Sequence, residues 1–198
     1  IIFTYEKGDL SDFTNKVQID ADFKQADVVL SDLKKLYGQF GRHDIIHFSA
    51  KAKGTINDFV LEDINLESDR HSSLRGTIAM KNVLNPEKFS LQGDIKEISS
   101  NYDHLVNLLP DLLGAKIPKA LEKIGYFSSR GKVNITRSSL DLQLRTIAEM
   151  GMSMVDLKLT DLDKGDRASY KGKIELVDFK LGEFVKDTML GEFSMVGE

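Results

Sequence analysis

The stretch RGKVNITRSSLDLQLRT, residues 130–146, sets the pattern on which the fold depends. On either side of a polar break at Arg137 and Ser138, every second position is apolar or glycine: Gly131, Val133, Ile135, Leu140, Leu142 and Leu144. Successive side chains of a β-strand point to opposite faces, so each half predicts a strand with one apolar and one polar face. A short polar link joins antiparallel neighbours, because parallel neighbours need a long crossover. The stretch therefore predicts an antiparallel pair with one apolar face.

The same alternation recurs along most of the chain, in segments 46–56, 74–80, 91–95, 155–159 and 170–176. Short polar turns separate these segments at 57–58, 69–72, 137–138 and 163–166. Period-two alternation is the main sign of half-buried strands. The sequence predicts a mostly β fold, a long antiparallel meander with one face in water.

Glycines fall repeatedly in the apolar phase of these strands: Gly54, Gly76, Gly93, Gly131 and Gly172. Glycine inside a strand marks a bulge, a bend or a close approach of another backbone. The apolar phase also changes between Leu61 and Ile64, as a β-bulge would cause. We expect a sheet that curves sharply and carries a bulge at residues 61–64.

Three stretches leave the strand pattern for helical spacing, near 31–40, 102–124 and 181–188. Each is followed by a segment that contains the dipeptide Phe-Ser, at Phe48, Phe127 and Phe193. Recurrence at fixed spacing is typical of repeat proteins. We predict three units: 1–40 as the end of one repeat, 41–125 as a second, and 126–198 as a third that continues beyond the chain.

Composition excludes several classes of function. Of 198 residues, 29% are charged, yet the net charge is only −4, so there is no electrostatic footprint for nucleic acid. The absence of cysteine removes disulfides, thiolate metal sites and cysteine nucleophiles. No apolar run is long enough to span a bilayer, and residues 1–9 lack the features of a signal peptide. Without an initiator methionine, the chain is expected to be part of a longer protein.

The residue types that carry chemistry do not fall into catalytic or metal-binding patterns. The four histidines, His43, His47, His71 and His104, include no helical i, i+4 pair. The carboxylates of TDLDKGD (160–166) could hold calcium, but a charged hairpin turn is the better interpretation. Those of LEDINLESD (61–69) could suit glycoside hydrolysis, but a solvated strand face explains them more simply. We expect no enzymatic activity, catalytic residue, metal or cofactor.

The leucines of the second helical stretch form a wide apolar stripe: Leu105, Leu108, Leu109, Leu112 and Leu113. Such a stripe could lie on a membrane surface, but it more often covers the end or edge of a sheet. The cations Lys116, Lys119 and Lys123 could meet lipid phosphate, and a solvated face is the simpler interpretation.

The order strand, polar lead, Leu-x-x-Leu helix, Phe-Ser strand resembles the periplasmic repeats of TamB-type proteins of the AsmA-like superfamily, in their Bacteroidota branch. The resemblance lies in segments 54–80, 95–134 and 170–184. It implies a long sheet curled into a taco-like apolar groove with short helices between repeats. It also implies a periplasmic location, with the parent chain anchored in the inner membrane outside these residues. Phospholipid and an Omp85-family outer-membrane barrel are the implied partners, and the family supplies no catalytic residues.

A single meander must also hide its apolar face, because large exposed apolar patches are uncommon on soluble monomers. The face can pair with a second sheet, close on itself or shelter apolar ligands. With the resemblance, we expect a lipid-conducting groove that supports transport to, and assembly of, the outer membrane. The expected lining residues are Phe48, Ile78, Ile95, Val133, Ile135, Leu140, Leu142, Leu144, Val155, Leu157, Leu159, Ile174 and Leu176. The alternative is a structural scaffold subunit of an outer-membrane assembly or translocation complex that carries no lipid. A simpler interpretation of the same residues is that they pack against one another.

Overall fold

The computed structural model describes residues 1–32, 45–108, 119–187 and 189–197. These residues form eleven β-strands. Their bounds are β1 Ile2–Thr4, β2 Gln18–Val29, β3 Ile45–Gly54, β4 Phe59–Ser68, β5 Ser73–Lys81, β6 Ser90–Ser100, β7 Phe127–Thr136, β8 Leu140–Ala148, β9 Gly151–Thr160, β10 Ser169–Lys180 and β11 Glu192–Gly197.

All eleven strands belong to one sheet, and each pairs antiparallel with the next strand in the sequence. The sheet is open, with β1 and β11 at its two edges. The tight link between β7 and β8 illustrates why successive strands pair antiparallel. The Thr136 amide donates to the Ser139 carbonyl at 2.9 Å, and the Ser139 amide donates to the Thr136 hydroxyl at 3.0 Å. The predicted antiparallel meander is confirmed.

Short helices interrupt the meander. The α-helices are α1 (Phe13–Lys16), α2 (Tyr102–Leu108) and α3 (Leu181–Val185), and 3-10 helices span Asp9–Asp12, Lys119–Ile124 and Leu162–Arg167. Asn101 caps α2, since its side-chain oxygen accepts the His104 amide at 2.9 Å. In the described parts of the chain, no helix has the length and apolar character needed to cross a membrane.

The predicted helical stretches are found in part. Residues 102–108 and 119–124 are helical at the two ends of the second stretch, while 109–118 lie outside the described residues. The third helix is shorter than expected and ends before Lys186, which adopts a left-handed backbone with φ 61°. Most of the helix predicted at 31–40 lies outside the described residues. The division into three repeats stays a prediction.

Bulges offset the register in four strands. The predicted irregularity between Leu61 and Ile64 is confirmed, and Asp63 in it has φ 52°. Three further shifts lie between Phe23 and Ala26, between Ile95 and Ile98, and between Leu176 and Phe179. Because a bulge adds one residue to one strand only, it bends that strand and increases the local twist.

Two glycines allow close approaches between neighbouring backbones, Gly76 to β6 and Gly131 to β8. Gly76 on β5 and Gly131 on β7 both lie opposite Ile95, with φ 152° and 143°. A Cβ added at Gly76 would meet the Asp94 carbonyl oxygen, and one at Gly131 would meet that of Gln143. Both positions therefore require glycine.

The fully buried core is small and lies mainly towards the β2–β4 side of the sheet. Its apolar members are Val17, Ala21, Leu30, Ile46, Ala50, Ile64 and Ile95. The accessible surface is 12810 Å², against about 9400 Å² expected for a compact monomer of 22.2 kDa. The chain therefore leaves much of its strand surface in contact with solvent.

Candidate functional site: the apolar face of the sheet

Rows of side chains cross the sheet at right angles to the strands, because directly paired residues of successive strands point to the same side. The first row crosses ten strands and consists of Phe3, Ile19, Gly54, Phe59, Met80, Leu91, Ile135, Leu140, Leu159 and Tyr170. Every member is apolar, aromatic or glycine.

Two further rows run beside the first on the same face. The second row consists of Ala21, Ala52, Leu61, Ile78, Gly93, Val133, Leu142, Leu157 and Gly172. The third row crosses the bulge of β4 and consists of Phe23, Ala50, Ile64, Gly76, Ile95, Gly131, Leu144, Val155, Ile174 and Gly197. No member of the three rows carries a charge. We call these three rows the apolar face.

A fourth row borders the apolar face and changes character along its length. Its members are Ala26, Phe48, Leu66, Leu74, Ile98, Ser129, Thr146, Ser153, Leu176 and Met195. Near one end, the rings of Phe23 and Phe48 pack with their centroids 5.6 Å apart. In the middle, the Ser129 and Thr146 hydroxyls hydrogen-bond each other at 2.7 Å. Hydroxyl groups thus edge the apolar face on β7–β9 without adding charge.

All thirteen residues predicted to line a groove fall on this side of the sheet, in the four rows. Ile95 is buried, Ile174 is 41% exposed, and the other eleven are partly buried. Such values are typical of a concave or one-sided surface and not of a sealed interior, where large aliphatic side chains are nearly always fully enclosed.

Several members of the same rows were missing from the predicted lining, among them Phe3, Ile19 and Phe59. The alternation of Ile19, Ala21 and Phe23 along β2 is the sequence signal that could have assigned Ile19 to the lining. Phe3 offers no such signal, because β1 is only three residues long.

The opposite face is charged and wet. Its outward side chains form cross-strand ion pairs, such as Lys51 Nζ with Asp63 Oδ2 at 2.8 Å. This pairing raises the pKa of Lys51 and lowers that of Asp63, chiefly through their hydrogen bond. In the 61–69 stretch, Asp63 is therefore solvated and ion-paired, and Glu62 and Glu67 are exposed on the same strand.

His47 has two carboxylate partners on this charged face. Its Nδ1 lies 2.7 Å from Asp27 Oδ1, and its Nε2 lies 3.1 Å from Asp69 Oδ1. The hydrogen bond to Asp27, followed by that to Asp69, raises the pKa of His47. The ring thereby ties β2 to the turn after β4.

Titratable groups do not assemble into a metal site: among the described residues, no three His, Asp or Glu side chains come together to hold an ion. The carboxylate of Asp161 is paired with Lys164 Nζ at 2.6 Å, within the turn between β9 and β10. Lys123, considered for lipid phosphate, donates instead to the Phe184 carbonyl and lies 5.4 Å from the centre of that ring.

The leucine stripe of the second helical stretch cannot be followed to its end, since its residues 109–113 lie outside the described residues.

Comparisons of the chain with protein-family models, with curated proteins and with solved structures find no match. The functional assignment therefore depends on the geometry of the apolar face.

Proposed function

We propose that the apolar face shelters the acyl chains of phospholipid, and that the chain is a non-catalytic, lipid-conducting segment of a longer protein. The observation that carries this proposal is the set of three adjacent, uncharged rows that cross nine or ten strands, with every member on β7, β8 and β9 partly exposed. On a curled sheet these rows would line a groove.

Acyl chains suit this face for an energetic reason. Apolar surface removed from water stabilises by about 25 cal/mol per Å², whether the covering atoms belong to protein or to lipid. A charged side chain in the rows would oppose such contact, because an unpaired charge next to hydrocarbon is costly. The rows contain none.

Uniform walls also favour movement along the groove. Neighbouring positions such as Val133, Leu142 and Leu157 offer similar aliphatic contacts on successive strands. Dispersion contacts are individually small, so an acyl chain that shifts by one strand exchanges one set of side-chain contacts for an equivalent set. The lipid then meets no single deep binding site.

The resemblance to TamB-type repeats extends the proposal to the parent protein. In that view the parent chain is anchored in the inner membrane, crosses the periplasm and works with an Omp85-family barrel. The segment supports phospholipid transport to the outer membrane and assembly of that membrane. The competing role is a scaffold in the same location that carries no lipid.

Lipid extraction from the purified chain, followed by mass spectrometry, tests the proposal. The protein should retain phospholipid, and Leu142→Arg should reduce the amount severalfold because it places a charge in the second row. Gln143→Arg is the matched control, since the next residue of β8 points to the opposite face. Equal lipid in both variants, or none in the wild type, would favour the scaffold.

A further inference from the structure

Three cations cluster on the charged face where β6, β7 and β8 adjoin. Arg130 on β7 lies directly opposite Arg145 on β8. Lys96 belongs to the β6 bulge, between Ile95 and Ile98, which faces Arg130. We call Lys96, Arg130 and Arg145 the cationic cluster.

This arrangement has no structural benefit in itself. Like charges directly opposite each other on neighbouring strands destabilise the pair. Several other cations on the same face lie opposite acids, as Lys132 does opposite Asp94, although Lys158 and Lys171 are also directly opposed. Sheet stability alone would favour a cation opposite an acid at residues 130 and 145.

The nearby acid is engaged elsewhere. Glu97 Oε2 lies 3.5 Å from Arg75 Nη1, and Glu97 Oε1 accepts from the Ser99 hydroxyl at 3.5 Å. Within the described residues, no cation of the cluster forms an ion pair, and Arg145 Nη2 donates a hydrogen bond to the Met152 sulfur at 3.4 Å. Positive charge therefore collects here in a chain whose net charge is −4.

The cluster borders a pocket of about 320 Å³. Ser128, Ser129, Glu97 and Ile147 complete its walls. The Ser129 side chain points to the opposite face, where its hydroxyl is paired with Thr146, so Ser128 is the serine whose hydroxyl is on the charged face. The pocket thus offers three cations, one hydroxyl and one carboxylate that is already paired.

We propose that this pocket binds a phosphate group, carried by a soluble phosphate compound or by a lipid headgroup. Guanidinium groups present planar, parallel N–H donors that match phosphate oxygens in a bidentate manner. Two opposed guanidinium groups can contact different oxygens of the same anion. The bound anion also neutralises the repulsion between Arg130 and Arg145. The site lies on the face opposite the apolar rows, so phosphate binding there does not depend on whether the groove holds lipid.

Phosphate titration followed by NMR of the ¹⁵N-labelled chain tests the site. Inorganic phosphate should cause saturable shifts at Ser128, Arg130 and Arg145. Arg130→Gln combined with Arg145→Gln should weaken binding by about tenfold or more, or at least 1.4 kcal/mol. Arg130→Lys should keep part of the affinity, since lysine retains the positive charge but lacks the paired N–H donors of the guanidinium group.

Lys132→Gln is the matched control, because it removes a cation from the same face of β7, two residues from Arg130. It should change phosphate affinity less than twofold. Equal weakening by Lys132→Gln and by the double arginine variant would overturn the proposal, since it would indicate only general charge attraction. The absence of saturable shifts in the wild type would overturn it as well.

Vesicle sedimentation distinguishes the two sources of phosphate. Phosphatidylglycerol vesicles should sediment the wild type but not the double arginine variant if the ligand is a headgroup. If inorganic phosphate binds and neither phosphatidylglycerol nor phosphatidylcholine vesicles sediment the chain, the ligand is a soluble phosphate compound. Sedimentation of both proteins alike would argue against a headgroup site in this pocket.

Discussion

Leu142 on β8 and Leu157 on β9 lie directly opposite each other, and Val133 on β7 extends the same row on the other side. All three side chains are only partly buried. Aliphatic side chains on three consecutive strands thus form a continuous apolar strip that is partly exposed to solvent.

Leu144→Arg should leave the sheet folded. Leu144 lies in the third row between Gly131 and Val155 and is partly buried, so a long arginine stem can carry its charge to water. We expect the free energy of unfolding to fall by less than about 2 kcal/mol. Urea denaturation followed by circular dichroism measures this change.

A sealed interior would give a different outcome for the same variant. An unpaired charge enclosed there costs about 3–5 kcal/mol, which is enough to unfold a marginally stable domain. Gln143→Arg on the charged face provides the baseline for an added arginine in β8. Loss of the folded state in Leu144→Arg alone would show that the face is closed.

Gly131→Ala should destabilise the sheet. The added Cβ would meet the Gln143 carbonyl oxygen of β8, and the φ of 143° is strained for any residue with a side chain. We expect a loss of about 1–3 kcal/mol, seen as a lower urea midpoint. Gly191→Ala is the control, because a Cβ there has no heavy atom within 4 Å. Equal midpoints for the two variants would contradict the close approach of β7 and β8.

The His47 contacts should make stability depend on pH. Because Asp27 and Asp69 raise the pKa of His47 above 6.5, the folded chain holds this proton more tightly than the unfolded chain does. The contribution is therefore fully present below pH 6.5 and is lost as the pH rises through the folded-state pKa. The urea midpoint of His47→Gln should fall further below that of the wild type at about pH 6 than at about pH 8.5.

A comparison in a background without the two carboxylates isolates the histidine contacts. With Asp27→Asn and Asp69→Asn in place, His47→Gln should no longer have a pH-dependent effect, since the carboxylates that raise the pKa are gone. High salt should also reduce the effect, because all three side chains are solvent-exposed. An unchanged pH dependence in the asparagine background would assign the effect to another group.

The sequence predicts the strands and the common face well, and the reason is local. Alternation at Leu140, Leu142 and Leu144 fixes which side chains share a face without knowledge of any partner strand. The phase change between Leu61 and Ile64 reveals a bulge for the same reason. The order of β3 to β5 and of β7 to β9 follows from short links, which leave neighbouring strands no alternative to antiparallel pairing.

Features that depend on register between strands could not be predicted in this way. Arg130 and Arg145 are ordinary polar-face residues in the sequence, and they become an opposed pair only through the pairing of β7 with β8. The bulge at Lys96 gives no strong phase signal, because Ile95 and Ile98 are also consistent with a helical spacing. The contacts of His47 join residues 20 and 22 positions away.

Site-specific photocrosslinking shows which molecules contact the apolar face. A photoreactive amino acid replaces Leu142 on the apolar face or Gln143 on the charged face, and the irradiated products are analysed by mass spectrometry. We expect phospholipid adducts at residue 142 and few or none at residue 143, in a chain that remains folded. Adducts at residue 142 that consist only of protein, with no lipid at either position, would contradict the proposed function.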